Sequence, residues 1–244
     1  MRDDFRLTGN VAVVTGATGG LGEAICLTLA EEGALVFAVA RGREALAALA
    51  AQHERITAWP ADVTDDAFHA ELAARRVDIL VNNAGGNTPL PMEEVPVEVL
   101  DRMLGLNVRA AYLTAQAAVR AMLRQGVGGS IVNITSQMGH VGSPRRTVYC
   151  MTKHALEGLT KAMAVELAPH GIRVNSVAPT FVETPMTRPM LEDPAFREMV
   201  LSSIPLGRMA DPEDVAHAVL YLATDRSRMT TGTSLLVDGG WTAR

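Results

Sequence analysis

The sequence predicts an α/β fold: a doubly wound parallel sheet with helices on both faces, built as a single domain. Three observations predict it. Short continuous apolar runs recur along the chain, as expected of strands buried on both faces. Stretches with helical period separate those runs, and such alternation implies parallel strands joined by helical crossovers. The first run also opens directly into a glycine-rich turn and a helix.

Val11-Ala-Val-Val-Thr15 is the first such strand, and Thr15-Gly-Ala-Thr-Gly-Gly-Leu-Gly22 leads from it into a helical pattern that stops at Gly33. Glycines let a backbone approach a pyrophosphate closely, and a helix N-terminus offers free N–H groups and partial positive charge. Gly16, Thr18, Gly20, Leu21 and Gly22 are therefore candidate dinucleotide-binding residues. Ala34 to Ala40 is a second strand, ending at Arg41. An acidic residue often stands near this point and selects NAD through the ribose hydroxyls; here the place holds Ala40, with Arg41 next. An arginine pairs well with a 2′-phosphate, which favours NADP and leaves NAD as the alternative.

The alternation continues with a helix over 42–53, a strand from Ile56 to Pro60, and Asp62-Val-Thr-Asp65 opening the next helix. A fourth strand, Val77 to Asn82, runs into Asn83-Ala-Gly-Gly86. A helix around 97–125 contains Asn107, and a fifth strand, Ser130 to Thr135, ends at Ser136. A helix over about 148–168 follows, then a strand over 171–178, a helix from Asp211 to Thr224 and a last strand from Ser234 to Asp238. Between Pro179 and Pro212 the pattern lapses into Pro-, Met- and Thr-rich sequence, which reads as a mobile substrate lid around 183–210.

The chain has 244 residues, 48% of them hydrophobic and 20% charged, enough to bury a large core. Its formal charge of −5, with scattered Lys and Arg, points to neither nucleic acid nor an anionic membrane as partner. Two cysteines, Cys26 and Cys150, both on expected helices, make a disulfide framework improbable and a reducing cytoplasm the expected location. No N-terminal signal-like core and no run near the roughly 20 apolar residues of a membrane span is found. Asp3, Asp4, Glu93 and Glu94 read as solvated charge, and His53, His69, His154, His170 and His217 as helix residues without metal spacing.

Tyr149 and Lys153 stand four apart on a helix whose apolar residues Val148, Met151, Ala155, Leu159, Ala162 and Leu167 follow the helical period. Side chains at that spacing share a face. An ammonium beside a phenol favours the phenolate and lowers its pKa from about 10, preparing it to exchange a proton with a substrate oxygen.

Taken together, Thr15–Gly22, Asp62-Val63, Asn82-Asn-Ala-Gly85, Asn107, Ser136 with Tyr149 and Lys153, and Pro179-Thr-Phe-Val-Glu-Thr184 resemble the short-chain dehydrogenase/reductase family from Leu7 onward. The interval from Ser136 to Tyr149 (149 − 136 = 13) is the one usual there. The resemblance implies a Rossmann-type sheet and hydride transfer between NADP(H), or NAD(H), and a secondary alcohol or ketone, with no metal. It implies that Tyr149 is the general acid or base, and that Lys153 holds the nicotinamide ribose and lowers the phenol's pKa. Ser136 would bond the substrate oxygen, and Asn107, on locally distorted backbone, would hold a water leading from Lys153 to solvent. Asp62 and Val63 would meet the adenine. Asn83 would brace the fourth strand near the adenosine, and Ala84 and Gly85 would join it among the cofactor-binding residues. Beyond Pro179, Val182 and Thr184 would grip the carboxamide.

Two departures stand out: Thr180 where the family commonly has glycine, and Gly19 where NADP-preferring members often carry a basic residue. The expected substrate side comprises Ser136, Gln137, His140, Arg146 and Tyr149, with Gly86, Asn87, Met138, Arg145 and a lid around Met186, Met190 and Leu191. His140 with Arg145 or Arg146 would recognise a carboxylate, phosphate or hydroxyl-rich small molecule, such as a sugar acid, polyol or 3-oxoacyl thioester. The helices at 105–125 and 148–168 carry more apolar positions than one sheet face covers, and family members pair these helices between subunits, so a homotetramer is expected. The rival reading is a catalytically idle dinucleotide sensor of the same fold.

Overall fold

The computed structural model describes residues 5–184 and 187–243, so Asp3, Asp4 and Met186 lie outside the described residues. β1 (Val11–Thr15) is buried along its whole length, because helices cover both faces of the sheet it sits in. It is flanked by β2 (Leu35–Ala40) and β4 (Ile79–Asn82), and all pairings are parallel. With β3 (Ile56–Pro60), β5 (Gly129–Ile134), β6 (Ile172–Pro179) and β7 (Ser234–Val237), the strand order is β3-β2-β1-β4-β5-β6-β7. The order reverses between β1 and β4, and a crevice opens at such a reversal outside the carboxyl ends of the strands.

α1 (Gly20–Glu31), α2 (Arg43–Ala50) and α9 (Pro212–Ala223) supply one apolar layer: Ile25, Leu29, Leu46, Val215 and Val219 pack on Val14, Val36 and Val81. α3 (Asp66–Ala74), α5 (Ala111–Gln125) and α6 (Thr147–Leu167) supply the other, around Val13, Leu80, Ile131 and Val174. A polar seam crosses this second layer. Asn82 Nδ2 donates to Asn133 Oδ1 at 3.1 Å, and Asn133 Nδ2 to Thr160 Oγ1 at 2.9 Å, so these buried amides are paired.

Three expectations need correction. The helix expected over 42–53 ends at Ala50, which leaves His53 in a turn. The stretch expected as one helix over 97–125 is α4 (Val97–Leu104), a π-helical segment (Gly105–Ala110) and α5. The lapse after Pro179 contains two short helices, α7 (Arg188–Leu191) and α8 (Pro194–Ser203). Each has a proline in its opening turn, Pro189 and Pro194, and α8 is capped by Asp193, whose carboxylate accepts from Ala195 N at 3.0 Å. On α6 the apolar residues divide between the two faces, Leu167 buried and Met151 exposed, as expected of a helix with more apolar positions than the sheet covers. Met151 is 47% exposed and Val165 81%, while the buried face carries Thr152, Lys153, Leu156, Glu157 and Thr160. No helix among the described residues is long and apolar enough to cross a membrane.

Candidate active site

The crevice at the strand reversal is a cleft of about 1320 Å³. Every cofactor residue expected from the sequence lines it, from Gly16 in the first turn through Arg41, Asp62 and Asn83 to Pro179, Val182 and Thr184. Ser136, Gln137, Arg146, Tyr149 and Lys153 line it too, whereas Asn107 stands just behind the wall and His140 lies outside the lining.

The adenosine end is built by the turn after β1. Gly16 has φ +64, and a Cβ there would lie 2.9 Å from Ala84 Cα. At Gly22 a Cβ would sit 2.2 Å from Gly16 O, so only glycine lets α1 fold back onto its own turn. No side chain caps α1 at Gly19, which leaves its first N–H groups directed at the cleft. Those residues therefore fit a dinucleotide's phosphates. Asn83 ties the turn to β4, with Nδ2 donating to Thr15 O at 2.9 Å and Gly16 O at 3.1 Å. Arg41 is largely exposed, 3.9 Å from Asp62, whose own Oδ1 is occupied by the Thr64 N–H at 2.9 Å and hydroxyl at 2.7 Å.

At the other end the side chains converge from three elements. The π-helical segment turns Asn107 inward, where its amide pairs doubly with Gly86: Oδ1 accepts from Gly86 N and Nδ2 donates to Gly86 O, each at 2.8 Å. Nδ2 also donates to Thr152 Oγ1 at 3.1 Å, which joins this wall to α6. Ser136, at the end of β5, donates its hydroxyl to Gln137 Oε1 at 2.7 Å and accepts from Met138 N at 3.1 Å. One turn of α6 separates Tyr149 from Lys153, whose Nζ donates to Ile134 O at 2.8 Å and stands 5.5 Å from the tyrosine ring centroid.

The electrostatics differ from the expectation that Lys153 lowers the phenol's pKa. Protein crowded around the phenol pushes Tyr149 up to about 12, opposed by the Ser136 hydrogen bond and the charge of Arg146. Burial holds Lys153 down to about 8, with the Glu157 carboxylate opposing. Burial is thus the larger influence on both groups and favours the neutral form of each.

Two residues change standing. His140, expected beside the substrate because it follows Ser136 closely, instead brings its Nε2 to Ser234 Oγ at 2.9 Å and Glu157 Oε1 at 3.3 Å. The tight turn at Gln137–Gly139 swings it back toward β7. Glu157 is absent from the residues that sequence reasoning singles out. It is buried and accepts from Thr135 Oγ1 at 2.5 Å, Ser176 Oγ at 2.9 Å and Ser234 Oγ at 3.1 Å. The spacing 149, 153, 157 places it on the same helix face as the reacting pair, and that is the available signal.

The family model described as Enoyl-(Acyl carrier protein) reductase matches residues 16–242. An L-xylulose reductase from Bos taurus is 43% identical over 98% of this chain and 99% of its own. The chain belongs to the short-chain dehydrogenase/reductase family. It is similar also to the 3-oxoacyl-[acyl-carrier-protein] reductase FabG of Thermotoga maritima, 39% identical over 97% of this chain and 99% of that one. Among solved structures, a gluconate 5-dehydrogenase from Burkholderia cenocepacia J2315, in complex with NADP and tartrate, superposes with a TM-score of 0.94. That pair is 32% identical and covers 99% of this chain and 98% of the other. This member of the family is an NAD(P)-dependent oxidoreductase acting on CH–OH and ketone groups.

Proposed function

We propose that the protein interconverts a hydroxylated small-molecule ketone and its secondary alcohol with NADP(H), using Tyr149, Ser136, Lys153 and Asn107. The observation that carries the reading is the continuity of one cleft from the uncapped α1 terminus to Tyr149. Bound NADP(H) supplies or accepts the hydride. The turn from Gly16 to Gly22, with Thr18, Gly20 and Leu21, would hold its phosphates, and Arg41 its 2′-phosphate. Asp62 and Val63 would border the adenine, Asn83, Ala84 and Gly85 the adenosine side, and Pro179, Val182 and Thr184 the carboxamide. NADP in a solved relative supports that cofactor over NAD.

The chain's own chemistry follows from the site. Ser136 can turn its hydroxyl from Gln137 toward a substrate oxygen and stabilise the charge that grows there. Tyr149 gives that oxygen a proton in reduction and removes one in oxidation. Lys153 carries its charge below about pH 8, so near neutrality an ammonium stands beside any phenolate formed. Asn107 fixes the loop backbone at Gly86 and Thr152 around this group, and a water at its π-helical backbone would pass the proton outward. Gln137 and Arg146 are the substrate-side contacts; His140 acts through Glu157 rather than on substrate.

The segment over 183–210 serves as a lid, its α7 and α8 seated by Leu191, Val200 and Ile204 against Phe181 and Met138. The outward apolar residues of α5 and α6, Tyr112, Leu123, Met151 and Val165, suit a homotetramer, and a cytoplasmic location fits two free cysteines. The test is to offer NADPH with a panel of hydroxylated ketones and follow nicotinamide absorbance. Tyr149→Phe should abolish turnover and leave NADPH binding intact; a near-normal rate in that variant refutes the assignment.

A further inference from the structure

Arg146 is only 6% exposed, yet it has no anionic partner among the described residues. It stands at the start of α6, three residues before Tyr149, and lines the cleft. Its Nη2 reaches only Met190 Sδ, at 3.3 Å, a weak acceptor, and its Nε has no hydrogen-bond partner. Among the described residues no carboxylate lies within 4.0 Å of it. The ionisable groups around it are Tyr149, Cys150 and the like-charged Arg145, and burial lowers its pKa. A buried guanidinium is almost always paired, because desolvating it otherwise goes uncompensated.

The same cleft holds three more buried polar atoms without partners: Gln137 Nε2, a donor, Asn87 Oδ1, an acceptor, and Thr180 Oγ1, which is both. A cation and an amide donor match a carboxylate, and an acceptor with a hydroxyl matches alcohol groups. Resting on the oxidoreductase reading above, we propose that the substrate is a polyhydroxylated carboxylic acid, an aldonate or ketoaldonate, whose carboxylate pairs with Arg146. The charge balance favours a monoanion over a phosphate ester. Arg146 is the one buried arginine of the cleft among the described residues: Arg41 is exposed at the adenosine end beside Asp62, and Arg102 is exposed on Thr88 at 3.4 Å. Lys153 is engaged by Ile134 O. Arg145, the other arginine of this loop, is exposed, and His140 faces Glu157 and Ser234.

The test reads binding, so it does not depend on turnover. Wild type saturated with NADP is titrated by calorimetry with five- and six-carbon aldonates, the alditols of the same configuration, and those alditols' phosphates. Aldonates should bind about 10- to 100-fold more tightly than matching alditols, the range for a desolvated charge pair. Arg146→Met should erase that preference, and Arg146→Lys, a point charge without the guanidinium fork, should retain part of it. NADP binding and thermal melting verify that each variant is folded; if the methionine variant is not, the lysine variant and the wild-type panel decide. Equal binding of aldonates and alditols, a preference that survives Arg146→Met, tighter binding of the phosphates, or no binding by any aldonate overturns the assignment. An aldonate preference in a protein that turns over no substrate would instead fault the proposed reaction and leave this recognition standing.

Discussion

Lys153 offers the most direct measurement of what the site costs the fold. Its amine, ordinarily near 10.5, is held at about 8 by burial. That depression costs the folded state about 3 kcal/mol while the amine is charged. The sign follows from proton counting. Between about pH 8 and 10.5 the unfolded chain carries the proton and the folded chain does not, so raising the pH through that window stabilises the fold. Below about pH 8 both states are protonated and the full cost is present. Tyr149 and both cysteines act oppositely: burial raises each, so the folded state keeps protons that the unfolded state releases at higher pH. Comparing wild type with Lys153→Met cancels those contributions. Methionine is apolar and unbranched, and it loses the bond to Ile134 O at every pH, a constant offset. Urea unfolding of both proteins, without cofactor, across about pH 7 to 10.5 should show wild type gaining about 3 kcal/mol relative to the variant. A stability difference that does not change with pH refutes the argument that burial depresses this amine.

Two further outcomes test neighbouring parts of the site. Glu157→Gln removes the carboxylate that favours the Lys153 ammonium, so the decline of kcat/KM at high pH should begin at lower pH than in wild type; an unmoved profile shows that the carboxylate does not act on the lysine. Arg41→Asp places an anion where a 2′-phosphate would bind, and calorimetry should show the NADP-to-NAD affinity ratio falling by about 10-fold or more, whereas an unchanged ratio removes Arg41 from cofactor selection.

Features written in local spacing are legible in the sequence. β1, its glycine turn and α1 are contiguous, and Tyr149 and Lys153 need only one helical turn to share a face. Features assembled from distant segments are not. Glu157 carries no sequence signal beyond its helix spacing until Thr135 just past β5, Ser176 within β6 and Ser234 at the start of β7 are seen to donate to it. His140 is misplaced by sequence reasoning because closeness to Ser136 along the chain says nothing about which way an intervening turn points. On α6 the period is legible, but not that its covered face sets a lysine, a glutamate and two threonines beside Leu156, Ala164 and Leu167, each polar group satisfied by hydrogen bonds that only the folded structure supplies.

The direction of charge in the cleft ties these residues together. The chain as a whole carries −5, yet the cleft gathers a buried lysine, a buried arginine and the uncapped N-terminus of a helix. Lys153 is balanced within the protein, by Ile134 O directly and by Glu157 one turn further along α6. Arg146 has no such support: the other cation of its loop, Arg145, opposes its charge, and the acceptor it reaches is a thioether. A protein that pairs Asp78 with Arg76 at 3.0 Å, and Asp214 with Arg208 at 2.8 Å, does not lack carboxylates for this purpose. Leaving one guanidinium buried and unanswered lowers stability unless a ligand completes it, so its persistence at the cleft wall is a cost tied to binding rather than to folding.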